Sequence, residues 1–161
     1  MRNALIATLA TILVPGGAVV LGPFLILQST GVSSIPRLGP TEIGSFLVAF
    51  VGVAMVVWVS VAFVSQGNGT PAPNEPPKNF VAGGLYRFLR NPMYFGALLA
   101  VCAQALIFRS AWLLLYAAIL WLALHTATVL FEEPQLERRF GESYREYKAR
   151  TPRWIPRLPS S

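Results

Sequence analysis

Charge is what this chain has least of. Only 12% of its 161 residues are Asp, Glu, Lys or Arg, whereas soluble domains carry roughly a quarter. With 54% hydrophobic residues and a mean hydropathy of +0.54, the composition excludes an ordinary soluble globule and predicts an integral membrane protein. Cysteine occurs once, at Cys102, which excludes an internal disulfide and a cysteine metal cluster, so no metal is expected and Cys102 reads as a small packing residue within a span. Internal repeats are absent. Gly67-Asn68-Gly69 lacks the strand–turn–helix setting that gives a glycine fingerprint its meaning. Acidic residues number 7 against 13 basic ones, a net charge of +6. Attraction of span-flanking Lys and Arg to anionic lipid accounts for that excess, so the expected partner is the bilayer and not a nucleic acid.

What is abundant is apolar sequence in long runs. Four candidate spans occupy residues 4–27, 43–64, 93–108 and 111–131. The first, second and fourth reach the roughly 20 residues that cross the hydrocarbon, and the shorter third is expected to extend into the Asn91-Pro92 turn before it. Pro15-Gly16-Gly17 and Gly22-Pro23 interrupt the first run, which is also longer than the apolar part of a cleaved leader, so it reads as a retained span. With four spans, Arg2, Lys78, Arg87, Arg90 and the basic tail fall on one side and only Arg37 and Arg109 on the other, which predicts cytoplasmic termini. The fold class is therefore all-α: a polytopic helical membrane protein of about four transmembrane helices plus a C-terminal amphipathic interfacial helix. Residues 1–64 supply two spans of this single membrane domain, and residues 65–161 supply a cytoplasmic loop, a helical hairpin and the interfacial helix.

The local signals agree. The Gly, Pro and Asn content of residues 65–77 predicts an irregular connection. Asn91 is placed to cap a helix whose first residue is Pro92, leaving backbone N–H groups free to meet a carboxylate or a ribose oxygen. Pro134 disfavours helix at Glu133, so the fourth span is expected to end near Glu132-Glu133, with a new helix starting at Pro134. Leu136, Phe140, Tyr144 and Tyr147 then recur at helical spacing on one amphipathic helix, and Trp154 follows as an interface anchor.

Polar residues cluster at the foot of the hairpin. Glu132 and Glu133 can be read as ordinary helix-end charges, yet negative charge at a helix C-terminus is unfavourable by roughly 0.3–1 kcal/mol and calls for a cationic ligand or neighbour. Tyr86 and Tyr94 fit an interfacial aromatic belt, or a surface that stacks on a purine or faces a sulfonium. His125, inside the fourth span, is a functional candidate, or a neutral histidine hydrogen-bonded across helices.

Taken in order, Pro76-Pro77-Lys78, Gly84-Leu85-Tyr86-Arg87, Arg90-Asn91-Pro92-Met93-Tyr94-Phe95-Gly96, Glu132-Glu133, Leu136, Phe140-Gly141, Tyr144, Tyr147 and Arg153-Trp154-Ile155-Pro156 resemble the membrane methyltransferases of the isoprenylcysteine carboxyl methyltransferase and phospholipid methyltransferase families. The resemblance covers about residues 67–156. It implies S-adenosylmethionine bound at the cytosolic end of the last helices by Lys78, Asn79, Phe80, Val81, Tyr86, Asn91, Pro92, Met93, Tyr94 and Glu132. It also implies a lipid or lipidated small substrate entering from the bilayer. Two departures bear on that substrate. Asn91 stands where many prenylcysteine enzymes have His, and Ala127-Thr128-Val129 offers no Arg one turn before the paired acids. A carboxylate acceptor needs a cation, for which Arg87 or Arg90 are the candidates, whereas an amine must lose a proton to His125, Glu132 or Glu133. A phospholipid or amine N-methyltransferase, a non-catalytic lipid- or partner-binding scaffold, and a nicotinamide-dependent sterol reductase are the alternatives.

Overall fold

The computed structural model describes residues 16–32, 39–65 and 83–158. Among these, every regular element is helical. A π-helical turn, Gly17–Leu21, leads into α1 (Gly22–Ser29); α2 is Pro40–Ser65; a 3-10 turn, Gly84–Arg87, precedes α3 (Pro92–Ile107). Helix α4 (Ala111–Ala127), a second π-helical turn (Thr128–Glu132) and α5 (Glu133–Phe140) run on as one helix of 30 residues, followed by α6 (Glu142–Arg150). Two helices are long and apolar enough to cross a membrane, Pro40–Ala62 and Ala111–Phe140, while Gly17–Ser29 and Pro92–Ile107 are shorter apolar helices. Their outer surfaces are apolar: Phe50 is 73% exposed, Trp58 65% and Trp112 58%.

Helices α2 and α3 make the closest approach. A Cβ at Gly96 would lie 2.6 Å from the Gly52 carbonyl oxygen, and one at Gly52 would lie 2.8 Å from the Ala100 nitrogen. Backbones therefore meet where both helices lack side chains, the way apolar helices pack when lipid gives them no hydrophobic reason to associate. Val19, Ala97 and Ala100 form the buried cluster beside this crossing, with Val56 against it.

Each π turn ends two residues before a proline, Pro23 or Pro134. A proline inside a helix lacks an N–H and crowds the carbonyl one turn back, and a wider turn relieves the crowding. The carbonyls that Pro23 deprives of a donor lie four and five residues earlier. Both are satisfied from neighbouring helices: Gln104 Nε2 donates to the Val19 oxygen at 2.8 Å and Tyr116 Oη to the Ala18 oxygen at 3.0 Å. At the second turn the Glu133 N–H bonds the Thr128 oxygen. This corrects the expectation that the helix stops at the carboxylate pair: Pro134 is taken into the helix through the π turn. The single amphipathic helix expected from Pro134 onwards is broken at Gly141, whose φ of 56° turns the chain between α5 and α6. Cys102, expected to pack, is exposed on α3.

Polar groups gather at the two ends of the α3/α4 hairpin, about 24 Å apart along α3 at 1.5 Å per residue. At the end where α3 meets α4, Arg109 pairs with the buried Glu42 at the start of α2, through Nη2 at 2.7 Å and Nε at 3.2 Å. The other end carries the candidate site.

Candidate functional site

The segment leading into α3 is held by the C-terminal tail. The Arg90 N–H bonds the Pro152 oxygen at 2.9 Å, and the Arg157 N–H bonds the Phe88 oxygen at 3.0 Å, so the tail lies along residues 88–90. Tyr147 Oη donates to the Tyr86 oxygen at 2.8 Å, tying the 3-10 turn to α6. Gly84 has a φ of 59°, the left-handed region, where glycine carries no Cβ penalty and the chain can enter the turn. Leu89 and Tyr144, 1% and 2% exposed, are the apolar pins of this assembly.

Asn91 occupies the cap position of α3 with Pro92 in the first turn, but its side chain makes no cap hydrogen bond. Its Nδ2 instead donates to the Arg153 oxygen at 3.4 Å. The first N–H groups of α3 are thus left uncapped by Asn91, beside Tyr94 in the same turn.

The paired carboxylates have different surroundings. Glu133, 4% exposed, accepts from Arg90 Nη1 at 2.7 Å and from Arg153 Nε and Nη2 at 2.7 and 3.0 Å, and Lys148 Nζ lies 3.5 Å away. It joins the loop, α6 and the tail to the end of the long helix. Glu132 accepts a hydrogen bond from the Tyr94 hydroxyl and, among the described residues, makes no salt bridge. Tyr86 stands near it: burial, then the neighbouring Tyr147 and Glu132, push the Tyr86 phenol above its ordinary pKa, and burial does the same at Tyr147. Both phenols therefore stay protonated and act as donors or stacking surfaces, not as bases.

The remaining candidates are placed as follows. His125 Nδ1 accepts from Trp154 Nε1 at 3.0 Å, and its ring stacks on Trp121 with centroids 5.2 Å apart. An accepting Nδ1 carries no proton, so His125 is a neutral imidazole with its hydrogen on Nε2. Its partner is the tail rather than another helix, and Trp154 is tied to the protein. Arg87 is exposed at the end of the 3-10 turn. Pro92 is buried and Met93 half-buried. Lys78, Asn79, Phe80 and Val81, like the connection at 66–77, lie outside the described residues. Thr128, at the position where an Arg was sought, is 2% exposed and its Oγ1 has no hydrogen-bond partner. Sequence reasoning missed the role of Arg153, which appeared only as part of an ordered motif, and the Trp154–His125 bond. The only signal for either was the recurrence of Tyr144 and Tyr147, which brings the tail back to the loop.

A family model described as phospholipid methyltransferase matches residues 41–143. The chain is 32% identical over 80 residues to the protein-S-isoprenylcysteine O-methyltransferase of Schizosaccharomyces pombe, covering 49% of this chain and 34% of that protein. It is 36% identical over 80 residues to methanethiol S-methyltransferase 1 of Bradyrhizobium diazoefficiens, covering 50% and 27%. Methanethiol S-methyltransferase 2 of the same organism is 29% identical over 144 residues, covering 84% of this chain and 51% of that protein. The chain thus spans between about a quarter and a half of the length of these relatives.

Proposed function

The chain belongs to the phospholipid methyltransferase family, and from that premise we propose that it is an S-adenosylmethionine-dependent methyltransferase acting on a small lipophilic or lipidated acceptor at the membrane surface. The observation that carries the reading is the contrast between the two carboxylates. Glu133 is matched by three cations, while its neighbour Glu132 makes no salt bridge among the described residues and accepts from the Tyr94 hydroxyl, which leaves its carboxylate available to a ligand. That carboxyl group, the Tyr86 ring and the uncapped start of α3 fit a cationic nucleoside: a carboxyl for its ammonium or ribose hydroxyls, an aromatic face for its base, and N–H groups for its carboxylate.

When bound, this cofactor supplies an electrophilic methyl group. The chain's own residues bind and orient it, hold the acceptor in line and exclude water from the positive centre. Arg90 is already committed to Glu133 at 2.7 Å. Of the two arginines that could hold a carboxylate acceptor, Arg87 and Arg90, the exposed Arg87 is the one left uncommitted. A neutral nucleophile, an amine or a thiol, needs no such partner and gives up one proton as it gains the methyl group, for which the Glu132 carboxylate is the candidate; His125, with its hydrogen on Nε2 and its Nδ1 held by Trp154, has no free lone pair for it. Two relatives are named for S-methylation of methanethiol and one for O-methylation of isoprenylcysteine, which supports a small or lipidated acceptor of this kind.

The membrane arrangement belongs to the same proposal. Four spans form one domain, with residues 1–64 supplying two of them, and the site and both termini face the cytoplasm. The α6 segment and tail lie at that surface. The test is equilibrium binding of S-adenosylmethionine and of NADPH to the detergent-purified full chain. Binding of the first alone is expected; binding of NADPH alone, or of neither, overturns the reading.

A further inference from the structure

A cavity of about 360 Å³ opens beside Glu133, lined also by Val129, Pro134, Glu137, Arg138, Lys148 and Arg153. Neither Tyr94 nor Glu132 lines it, so it is separate from the proposed cofactor site. We infer that this cavity holds the phosphate of an anionic lipid headgroup.

Three cations and two carboxylates line it, and the carboxylates are already matched. Glu133 is held by Arg90 and Arg153 at 2.7 Å, and Glu137 by Arg145 at 3.0 Å. Lys148 sits 3.5 Å from both Glu133 and Glu137, shared between them, and Arg138 forms no ion pair among the described residues. The charge in excess is therefore positive and belongs to Lys148 and Arg138, one a mobile point charge and the other a planar fork, which suit phosphate oxygens.

The position selects a lipid. Val129 and Pro134 lie where the apolar stretch of the long helix gives way to charge, and Leu130 and Phe131 beside them are each 61% exposed. Given the membrane placement proposed above, the cavity stands at headgroup depth, with an apolar surface for the acyl chains next to it. Free inorganic phosphate presents the same oxygens but gains nothing from Leu130 and Phe131.

The test is titration of the detergent-purified full chain with short-chain phosphatidylglycerol, phosphatidylcholine of the same chain length, and inorganic phosphate, followed by tryptophan fluorescence. Phosphatidylglycerol is expected to bind about tenfold more tightly than phosphatidylcholine, and Arg138→Gln with Lys148→Gln to weaken it by about tenfold. Arg150→Gln with Arg157→Gln, which removes equal charge from exposed positions that do not line the cavity, is expected to change it by less than about twofold. Folding of each variant is checked by helical circular dichroism. Equal loss in both double variants, or none in the first, overturns the site. Displacement of phosphatidylglycerol by equimolar phosphate overturns the lipid as its occupant. Because the titration contains no methyl donor, its failure and failure of the methyltransferase reading are separate results.

Discussion

Glu132 and Glu133 are neighbours in sequence with different work to do, and substitution should separate them. At the proposed cofactor site, Glu132→Gln and Tyr94→Phe each remove part of a contact to the ligand, so S-adenosylmethionine affinity should fall by about tenfold or more with little change in melting temperature. Glu133→Gln leaves Arg90 and Arg153 without their counter-charge in a buried setting, and should cost about 3 kcal/mol of stability, read as a lower melting temperature in detergent. If Glu133→Gln melts like the wild type, the tail is not held as described. At this scale the sequence was informative about Tyr94 and Glu132, because motif order alone brings α3 and the long helix together. It was silent on which carboxylate is neutralised, since that depends on where Arg153 lands after the chain turns at Gly141.

Helix content and the positions of α2, α3 and α4 follow from hydrophobic length and from Asn91-Pro92 as a start, though α2 begins at Pro40, three residues before the apolar run that marks it. The interruptions were less legible, because a proline can end a helix or be taken into it, and only the neighbouring donors decide. Near Pro23 those donors are Gln104 and Tyr116, some 80 to 100 residues away in sequence. The glycines that matter were equally hidden: Gly52 and Gly96 meet face to face, whereas a Cβ at Gly44 would meet nothing within 4 Å. Gly96→Val should therefore destabilise the α2/α3 pair by about 1–3 kcal/mol or more, because backbone cannot retreat as a side chain would. Gly44→Ala, on the same helix as Gly52, should be neutral or slightly stabilising. Thermal unfolding of the two variants in the same detergent compares them, and equal melting temperatures would refute the close approach.

For the whole molecule, the Glu42–Arg109 pair at one end and the site at the other bracket an apolar girdle, so the two ends should lie on opposite sides of a bilayer. In a Cys102→Ser background, Ser160→Cys should be labelled by an impermeant reagent only from the cytoplasmic side and Arg37→Cys only from the other; labelling of both from one side would refute the topology. The same architecture bears on the acceptor. A lipophilic anion entering from the bilayer must shed water, and a site recovers that cost only if a fixed cation waits for it. Arg90 and Arg153 are both held by Glu133, and Thr128, where another cation would be sought, is buried too deeply to be replaced by Arg without displacing its neighbours. Turnover of a small alkyl thiol or of an amine lipid, measured with radiolabelled S-adenosylmethionine, should therefore exceed that of a farnesylated cysteine by about tenfold or more, the cost of one missing charge-assisted contact. Arg87→Gln should abolish any residual carboxylate methylation while leaving the preferred reaction within about twofold, since an exposed cation contributes little to a neutral acceptor. Efficient methylation of the farnesylated cysteine that survives Arg87→Gln would mean that the Glu133 cluster opens to release Arg90 during turnover, and that a carboxylate is the natural acceptor.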